Sequence, residues 1–189
     1  MDKIRYIFFI ALLSIIIVSC QKDQNIKDVP TLPAATNPAL LAMVSGPGNF
    51  LASSGTLSVT IDDSTYTFDA QKDSIAFVNL YLDNKQYFGL TAINKSHNMS
   101  FGISSAGYAQ TNIDNKVAGT QFLLTKNKAN LQYALTQYAN LQDSSFIKIS
   151  AFAQDSTLAK GNFVTFLNDK TKTGKPFYRV TGIFNLKIK

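Results

Sequence analysis

Apolar and polar residues alternate with a period of two along most of the chain from residue 55 onward. Leu57, Val59 and Ile61, for example, are separated by Ser58 and Thr60, which is the pattern of a strand with one buried face. Clusters of Asp, Asn, Ser and Gly interrupt this alternation about every 8 to 12 residues, a spacing typical of antiparallel all-β domains. The pattern predicts an all-β fold, an antiparallel β-sandwich or barrel-like domain of about 8 to 10 strands.

The alternation also gives approximate strand positions. A longer irregular loop is predicted over 106–119 and a hairpin loop over 168–175. The segment 127–141 has leucines at helical spacing, but strand–turn–strand is the preferred interpretation there. The predicted strands cover residues 57–61, 66–68, 75–82, 87–93, 99–103, 120–125, 131–136, 146–152, 162–167 and 177–188.

The first 20 residues follow a different pattern: a charged start, an apolar run over 7–18, and Cys20, which is the only cysteine. A helix of that run would be about 18 Å long, well short of a hydrocarbon core of about 30 Å, so a transmembrane anchor is disfavoured. A charged segment, an apolar segment and a small residue before a cleavage point predict a secretory signal.

The stretch Ile17-Val18-Ser19-Cys20 resembles the bacterial lipobox. The resemblance implies cleavage between Ser19 and Cys20 and acylation of the Cys20 thiol, so that the acyl chains would hold the protein on a membrane. A plain secretory signal would end in an Ala-x-Ala-like site, which is absent. The Lys22-Asp23 pair is similar to the surface-export signal of Bacteroidetes lipoproteins but has one acid instead of several. We therefore expect a cell-envelope protein anchored in the outer membrane, with its periplasmic or surface orientation open.

These patterns divide the chain into a signal peptide (1–19), a lipidated N-terminus and tether (20–48), and an antiparallel β domain (49–189). Prolines keep the tether extended. Within it, the sequence after Asn37 predicts a short helix over 38–45, with a β-segment as the competing interpretation.

The signals for this short helix are specific. Asn37 is a suitable N-cap, Pro38 suits the first helical position, and Gly46 suits a left-handed end. The helix would pack Leu40, Leu41 and Val44 onto the domain. Gly46-Pro47-Gly48 is interpreted as a hinge between the tether and the domain.

Composition agrees with a β-rich exported chain. All 12 acidic residues are aspartate, and the absence of glutamate disfavours long helices. The net charge is +6, and residues 160–189 hold seven bases and one acid. We interpret these bases as the solvent face of the last strands, in preference to a site for anionic lipid or glycan. Few arginines and no recognisable binding motif argue against nucleic acid as a partner.

Candidate catalytic chemistry is sparse. His97 is the only histidine, so neither a metal site nor a Ser–His–Asp triad can be recognised, and a turn position is preferred. Asp62, Asp63, Asp69 and Asp73 form the densest carboxylate cluster, the kind of group that glycosidases or calcium sites use. We interpret them as hairpin residues instead. The prediction is a protein that is not an enzyme and has no cofactor or metal.

Three serines follow aspartate in a pattern that resembles the general O-glycosylation motif of Bacteroidetes. They are Ser64, Ser74 and Ser156. The resemblance implies that these are candidate O-glycosylation sites, with occupancy left open.

Several segments resemble a family of small Bacteroidetes lipoproteins of unknown function. Besides the opening hairpin from Leu57 to Ala70, the resemblance is carried by Gly119-Thr-Gln-Phe, Phe146-Ile-Lys-Ile-Ser, Lys160-Gly161-Asn-Phe-Val-Thr-Phe and Val180-Thr-Gly182-Ile-Phe-Asn. It implies an all-β lipoprotein domain and transfers no catalytic residue.

Two functions follow as expectations. The first is a non-catalytic β domain that binds or scaffolds a glycan or protein partner at the cell envelope. The alternative is a lipocalin-like carrier, which would hold a small apolar ligand in an internal cavity lined by aromatic side chains.

Overall fold

The computed structural model describes residues 36–126, 131–169 and 177–188. These residues form eleven strands, one more than the upper estimate from the sequence, together with two short helices. The elements are α1 (Pro38–Val44), β1 (Gly48–Leu51), β2 (Ser54–Ile61), β3 (Ser64–Asp69), β4 (Ser74–Leu82), β5 (Lys85–Ile93), β6 (Met99–Ala106), β7 (Asp114–Lys126), β8 (Leu131–Gln137), a 3₁₀ helix (Ala139–Ser144), β9 (Phe146–Gln154), β10 (Thr157–Asn168) and β11 (Tyr178–Lys187).

The strands pair in the order β1-β4-β5-β6-β7-β8-β10-β11-β2-β3, and β9 pairs with both β10 and β7. Each of these pairs is antiparallel. The long strand β7 pairs with β9 near its start and with β8 near its end, and both partners also pair with β10. Hydrogen bonding therefore closes a barrel-like ring with additional strands, which confirms the predicted all-β fold.

Large aromatic side chains from strands that are distant in the strand order meet in the core. The inward positions alternate with outward ones along each strand, as the period of two requires. Aromatic side chains contact one another in the interior. The distances between their ring centroids are 5.2 Å for Phe101 and Phe163, 4.9 Å for Tyr66 and Phe122, and 5.0 Å for Phe77 and Phe152. Burial of these rings, together with the aliphatic side chains around them, stabilises the fold.

The predicted short helix is present as α1. The Asn37 side-chain oxygen accepts hydrogen bonds from the backbone N–H groups of Ala39 and Leu40, both at 3.1 Å, which satisfies donors that a helix start leaves free. Leu40 and Val44 are buried in the core, whereas Leu41 is 40% exposed. The prediction of the helix is thus confirmed, but that of Leu41 as a packing residue is wrong.

The Gly46-Pro47-Gly48 segment joins α1 to β1 inside the compact unit that begins at Ala35. It is not a hinge between tether and domain, because α1 on one side and β1 on the other both belong to the folded unit. Gly46 does not adopt a left-handed conformation, and α1 ends instead at Ser45 in a right-handed one. The tether predicted over 20–48 therefore overlaps the folded unit from Ala35 onward.

Two strand segments differ from the prediction. The loop expected over 106–119 is shorter, because β7 already begins at Asp114 and pairs with β9. Strand β1 was not predicted at all and pairs with β4. Residues 131–137 form a strand, as preferred over the helical alternative. Residues 127–130 and most of the predicted 168–175 loop lie outside the described residues.

Candidate functional site

An open trough of about 400 Å³ lies on the sheet formed by β4, β5, β6 and β7. Phe77, Phe88, Phe101 and Phe122 of these strands point into the core. Their neighbours in sequence therefore point to the opposite, outer face. We call this hollow the outer trough; the outward-facing residues among those that line it are Val78, Leu80, Tyr87, Gly89, Thr91, Gly102, Ser104, Gly119 and Gln121.

Strand register explains why the outer trough is concave. Val78 faces Gly89 across β4 and β5, Gly89 faces Ser104 across β5 and β6, and Ser104 faces Gly119 across β6 and β7. Directly opposed residues have their Cβ positions about 5 Å apart, so small residues in one row leave a continuous floor. Three strand spacings make this floor about 14 Å long.

Gly102 extends the small-residue surface into the next row, between Thr91 and Gln121. A Cβ at Gly102 would lie 3.7 Å from its nearest neighbour, the Gln121 Cγ, which is ordinary contact. Its backbone is not left-handed either. Glycine inside a strand costs about 0.5–1 kcal/mol relative to alanine, and neither packing nor backbone geometry requires it here.

The walls of the outer trough combine apolar and uncharged polar groups. Leu80 faces Tyr87 directly across β4 and β5, and Leu80 is 52% exposed. On the far side of the floor lie the Thr91 hydroxyl and the Gln121 amide. Among the described residues, none of those lining the trough carries a formal charge at neutral pH, although the chain has a net charge of +6.

Exposed apolar side chains continue next to the outer trough at the end of β4. Tyr81 and Leu82 are 53% and 61% exposed, and Tyr108 in the β6–β7 loop is 60% exposed. The hydroxyl groups of Tyr81 and Tyr108 lie 3.4 Å apart. Their hydrogen bond raises the pKa of Tyr81 above its usual value.

A second depression is lined by residues of β9, β10, β11 and β2. Gly161 at its base has a different role from Gly102, since a Cβ there would overlap the Lys148 carbonyl oxygen of β9. Gly161 therefore serves close strand approach and lies next to a bulge at which β9 has one extra residue opposite β10. Packing accounts for Gly161, as it does for Gly89 in the outer trough, where a Cβ would overlap the Ile103 carbonyl oxygen. We take the outer trough as the candidate site because its Gly102 has no such packing role.

The four aspartates that lie close together in the sequence are in two separate places in the structure. Asp62 and Asp63 form the β2–β3 turn, where Asp62 has a positive φ of 49°. Asp69 and Asp73 lie at the other end of β3, about 20 Å away for a six-residue strand. The turn interpretation is confirmed, and the two ends of β3 cannot supply one pair of catalytic carboxylates.

Asp73 has a local structural role. One of its carboxylate oxygens accepts from the Asp69 backbone N–H at 2.9 Å, and the other accepts from the Lys95 N–H at 2.9 Å. These bonds tie the β3–β4 loop to the β5–β6 turn. In that turn His97 is exposed and has a positive φ of 56°, so its predicted turn position is confirmed.

Charged groups lie outside the outer trough. Within the described ranges the ion pairs include Lys72–Asp69, Lys116–Asp143 and Lys148–Asp114, at exposed or half-exposed positions. The hydrogen bond and charge of Lys116 lower the pKa of Asp143. Among the basic residues of 160–189, Lys160, Arg179 and Lys187 are exposed on β10 and β11, as the solvent-face interpretation predicts.

The predicted modification sites fall into two groups. Ser64, Ser74 and Ser156 are exposed, and they lie at the first residue of β3, the first residue of β4 and the β9–β10 turn. Ser19 and Cys20 lie outside the described residues. The described ranges contain neither a group of three or more His, Cys, Asp and Glu side chains able to hold a metal, nor a helix long and apolar enough to cross a membrane.

Sequence reasoning did not find the outer trough. The usable signal was a glycine in each of three successive strands, at Gly89, Gly102 and Gly119. Single glycines inside strands mark bulges or close approach of another group, but alignment of the three depends on strand register.

Comparison with known proteins found no matching family model, no matching curated protein and no matching solved structure. The resemblance to Bacteroidetes lipoproteins therefore stays a prediction from sequence motifs.

Proposed function

We propose that this chain is a lipid-anchored protein of the bacterial outer membrane whose β domain is a non-enzymatic binding module. The observation that carries the proposal is the outer trough, an open hollow with apolar walls and a few uncharged polar groups. Ligand sites typically combine these features in a volume of about 300–1,000 Å³.

The N-terminal pattern supports the anchor. An apolar run too short to span a bilayer precedes a lipobox-like sequence that ends in Cys20. A single acyl chain binds a membrane weakly, whereas two or more give stable attachment, and lipobox cysteines of bacterial lipoproteins carry several chains.

The composition of the trough supports binding without catalysis. Thr91, Ser104 and Gln121 offer hydrogen bonds to a ligand, but they offer no general base of suitable pKa. The Ser104 hydroxyl already donates to the Gly119 carbonyl oxygen at 3.4 Å. These groups are suited to orienting a ligand.

Core packing favours the outer trough over the lipocalin-like alternative. A carrier would surround its ligand with the inward-facing aromatic side chains. Phe101 and Phe163 instead stack on each other at 5.2 Å, and both are at most 2% exposed. Rings in direct contact across the interior are expected in a filled core.

The anchor is tested by Cys20→Ala, expressed in a Gram-negative host that processes lipoproteins. The wild-type chain is expected to take up an alkyne-palmitate label and to fractionate with the outer membrane. Cys20→Ala should lose both, because the acylated sulfur is gone.

Ser19→Ala is the matched control, since it keeps a small residue before the cleavage point and should leave labelling and fractionation unchanged. Labelling and outer-membrane fractionation of Cys20→Ala at the wild-type level would refute the anchor.

A further inference from the structure

We infer that the outer trough binds a neutral glycan chain, laid across strands β4 to β7 with a sugar ring against Tyr87. This inference rests on the proposed function and names the class of ligand. It starts from the juxtaposition of Gly89, Gly102, Ser104 and Gly119, which hollows the outer face of an otherwise continuous sheet.

Part of this hollow is space that packing does not require. A Cβ at Gly89 would overlap the Ile103 carbonyl oxygen, so Gly89 serves the close approach of β5 and β6, whereas Gly102 has no such constraint. Gly102 has no steric requirement and no left-handed backbone, and a Cβ there would make only ordinary contact with the Gln121 side chain. In a strand interior, such a glycine is expected where another group approaches the backbone closely. The floor of about 14 Å fits an extended chain several rings long, since it spans three strand intervals.

The absence of charged side chains from the described lining indicates the class of ligand. Phosphate or carboxylate ligands are normally held by Arg or Lys, and the described lining residues include neither. The net charge of +6 comes from residues outside this lining. An uncharged, hydroxyl-rich chain is therefore the complementary ligand.

The wall chemistry matches a sugar ring. A pyranose has apolar C–H faces and hydroxyl groups around its edge. Leu80 and Tyr87 supply an apolar and aromatic wall that suits the faces, and Thr91, Ser104 and Gln121 supply donors and acceptors for the edge.

A peptide strand fits less well. Extended peptides usually add to a free sheet edge, where main-chain groups are unpaired. The trough lies on the face of β5 and β6, and each of these strands has a partner on both sides. Their backbone groups are already used in the sheet.

Isothermal titration calorimetry on the mature, lipidated chain in detergent micelles tests this inference. The probes are neutral hexasaccharides of β-1,4-glucan, α-1,4-glucan, β-1,4-xylan and α-mannan, with hexagalacturonate and a heparin hexasaccharide as anionic probes. At least one neutral probe is expected to bind, and tighter than either anionic one.

Two variants localise the binding. Gly102→Val should fold normally and weaken binding at least tenfold, because the added side chain fills the hollow. Tyr87→Ala should also weaken binding at least tenfold by removing the wall. Ser100→Val is the matched control, on the same face of β6 but outside the trough, and should stay within twofold of wild type.

Absence of binding to all neutral probes, tighter binding of an anionic probe, or full affinity in both Gly102→Val and Tyr87→Ala would overturn the inference. These outcomes are distinct from failure of the proposed function. An anionic glycan bound in the same trough would retain a lipid-anchored binding module with a different ligand, whereas unchanged labelling of Cys20→Ala would remove the anchor.

Discussion

Phe163→Ala is expected to lower the free energy of unfolding by about 3–5 kcal/mol. Phe163 is 1% exposed and stacks on Phe101 of β6. It also covers Gly182 of β11, where even a Cβ would overlap the Phe163 ring. Truncation therefore removes apolar burial and leaves a cavity between Phe101 and Gly182. Urea unfolding of the mature chain, followed by circular dichroism, measures the loss.

Phe166→Ala is the matched control for this prediction. Phe166 lies on the same strand but is only half-buried, and it contacts Phe177 edge-on at 5.5 Å. Its truncation is expected to cost about 1–2 kcal/mol, because much of the side chain is already in water. Equal losses for Phe163→Ala and Phe166→Ala would contradict the assignment of inner and outer faces on β10.

Gly55→Ala is expected to destabilise the domain by roughly 2–3 kcal/mol. Gly55 has a φ of +102°, and a Cβ there would overlap the Asn185 carbonyl oxygen of β11. Alanine must therefore adopt a strained backbone and also push β2 away from β11 where Gly55 pairs with Leu186. The shift in the urea midpoint gives the size of the effect.

Variants of two other glycines distinguish the effect of backbone strain from the effect of steric overlap. Gly107 has a φ of +91° but nothing within 4 Å of its Cβ position, so Gly107→Ala should cost only the backbone strain, about 1 kcal/mol. Gly102→Ala has neither problem and is expected to be neutral or to stabilise by up to about 1 kcal/mol. A loss in Gly102→Ala as large as that in Gly55→Ala would show that Gly102 has a structural role.

Local turn chemistry made several parts of the fold predictable. Asp83 and Asn84 have φ values of 50° and 61°, which aspartate and asparagine tolerate better than most residues. The β4–β5 hairpin was therefore predictable from the sequence. The same holds for α1, where Asn37 caps and Pro38 begins the helix.

Long-range pairing limited the prediction elsewhere. The start of β7, Asp114-Asn115-Lys116, has no apolar alternation and resembles a loop. It is a strand because it pairs with β9, and Lys148 of β9 lies 3.3 Å from Asp114. Strand β1 similarly depends on its pairing with β4. Such partners are distant in sequence, so propensity alone does not reveal them.

The candidate site depended on register even more strongly. Gly89, Ser104 and Gly119 form one row only because three strands align with the observed pairing. A shift of one residue would turn a strand's outward side chains into the core. The outer trough therefore becomes visible only after the sheet has been assembled.

The most direct measurement is backbone amide NMR of the mature, ¹⁵N-labelled chain in detergent micelles, titrated with the neutral hexasaccharide that binds it most tightly. Chemical-shift changes are expected to centre on Gly89, Gly102, Ser104 and Gly119. Changes centred on the depression around Lys160 and Asn185, or spread without a centre, would contradict a binding module that uses the outer trough.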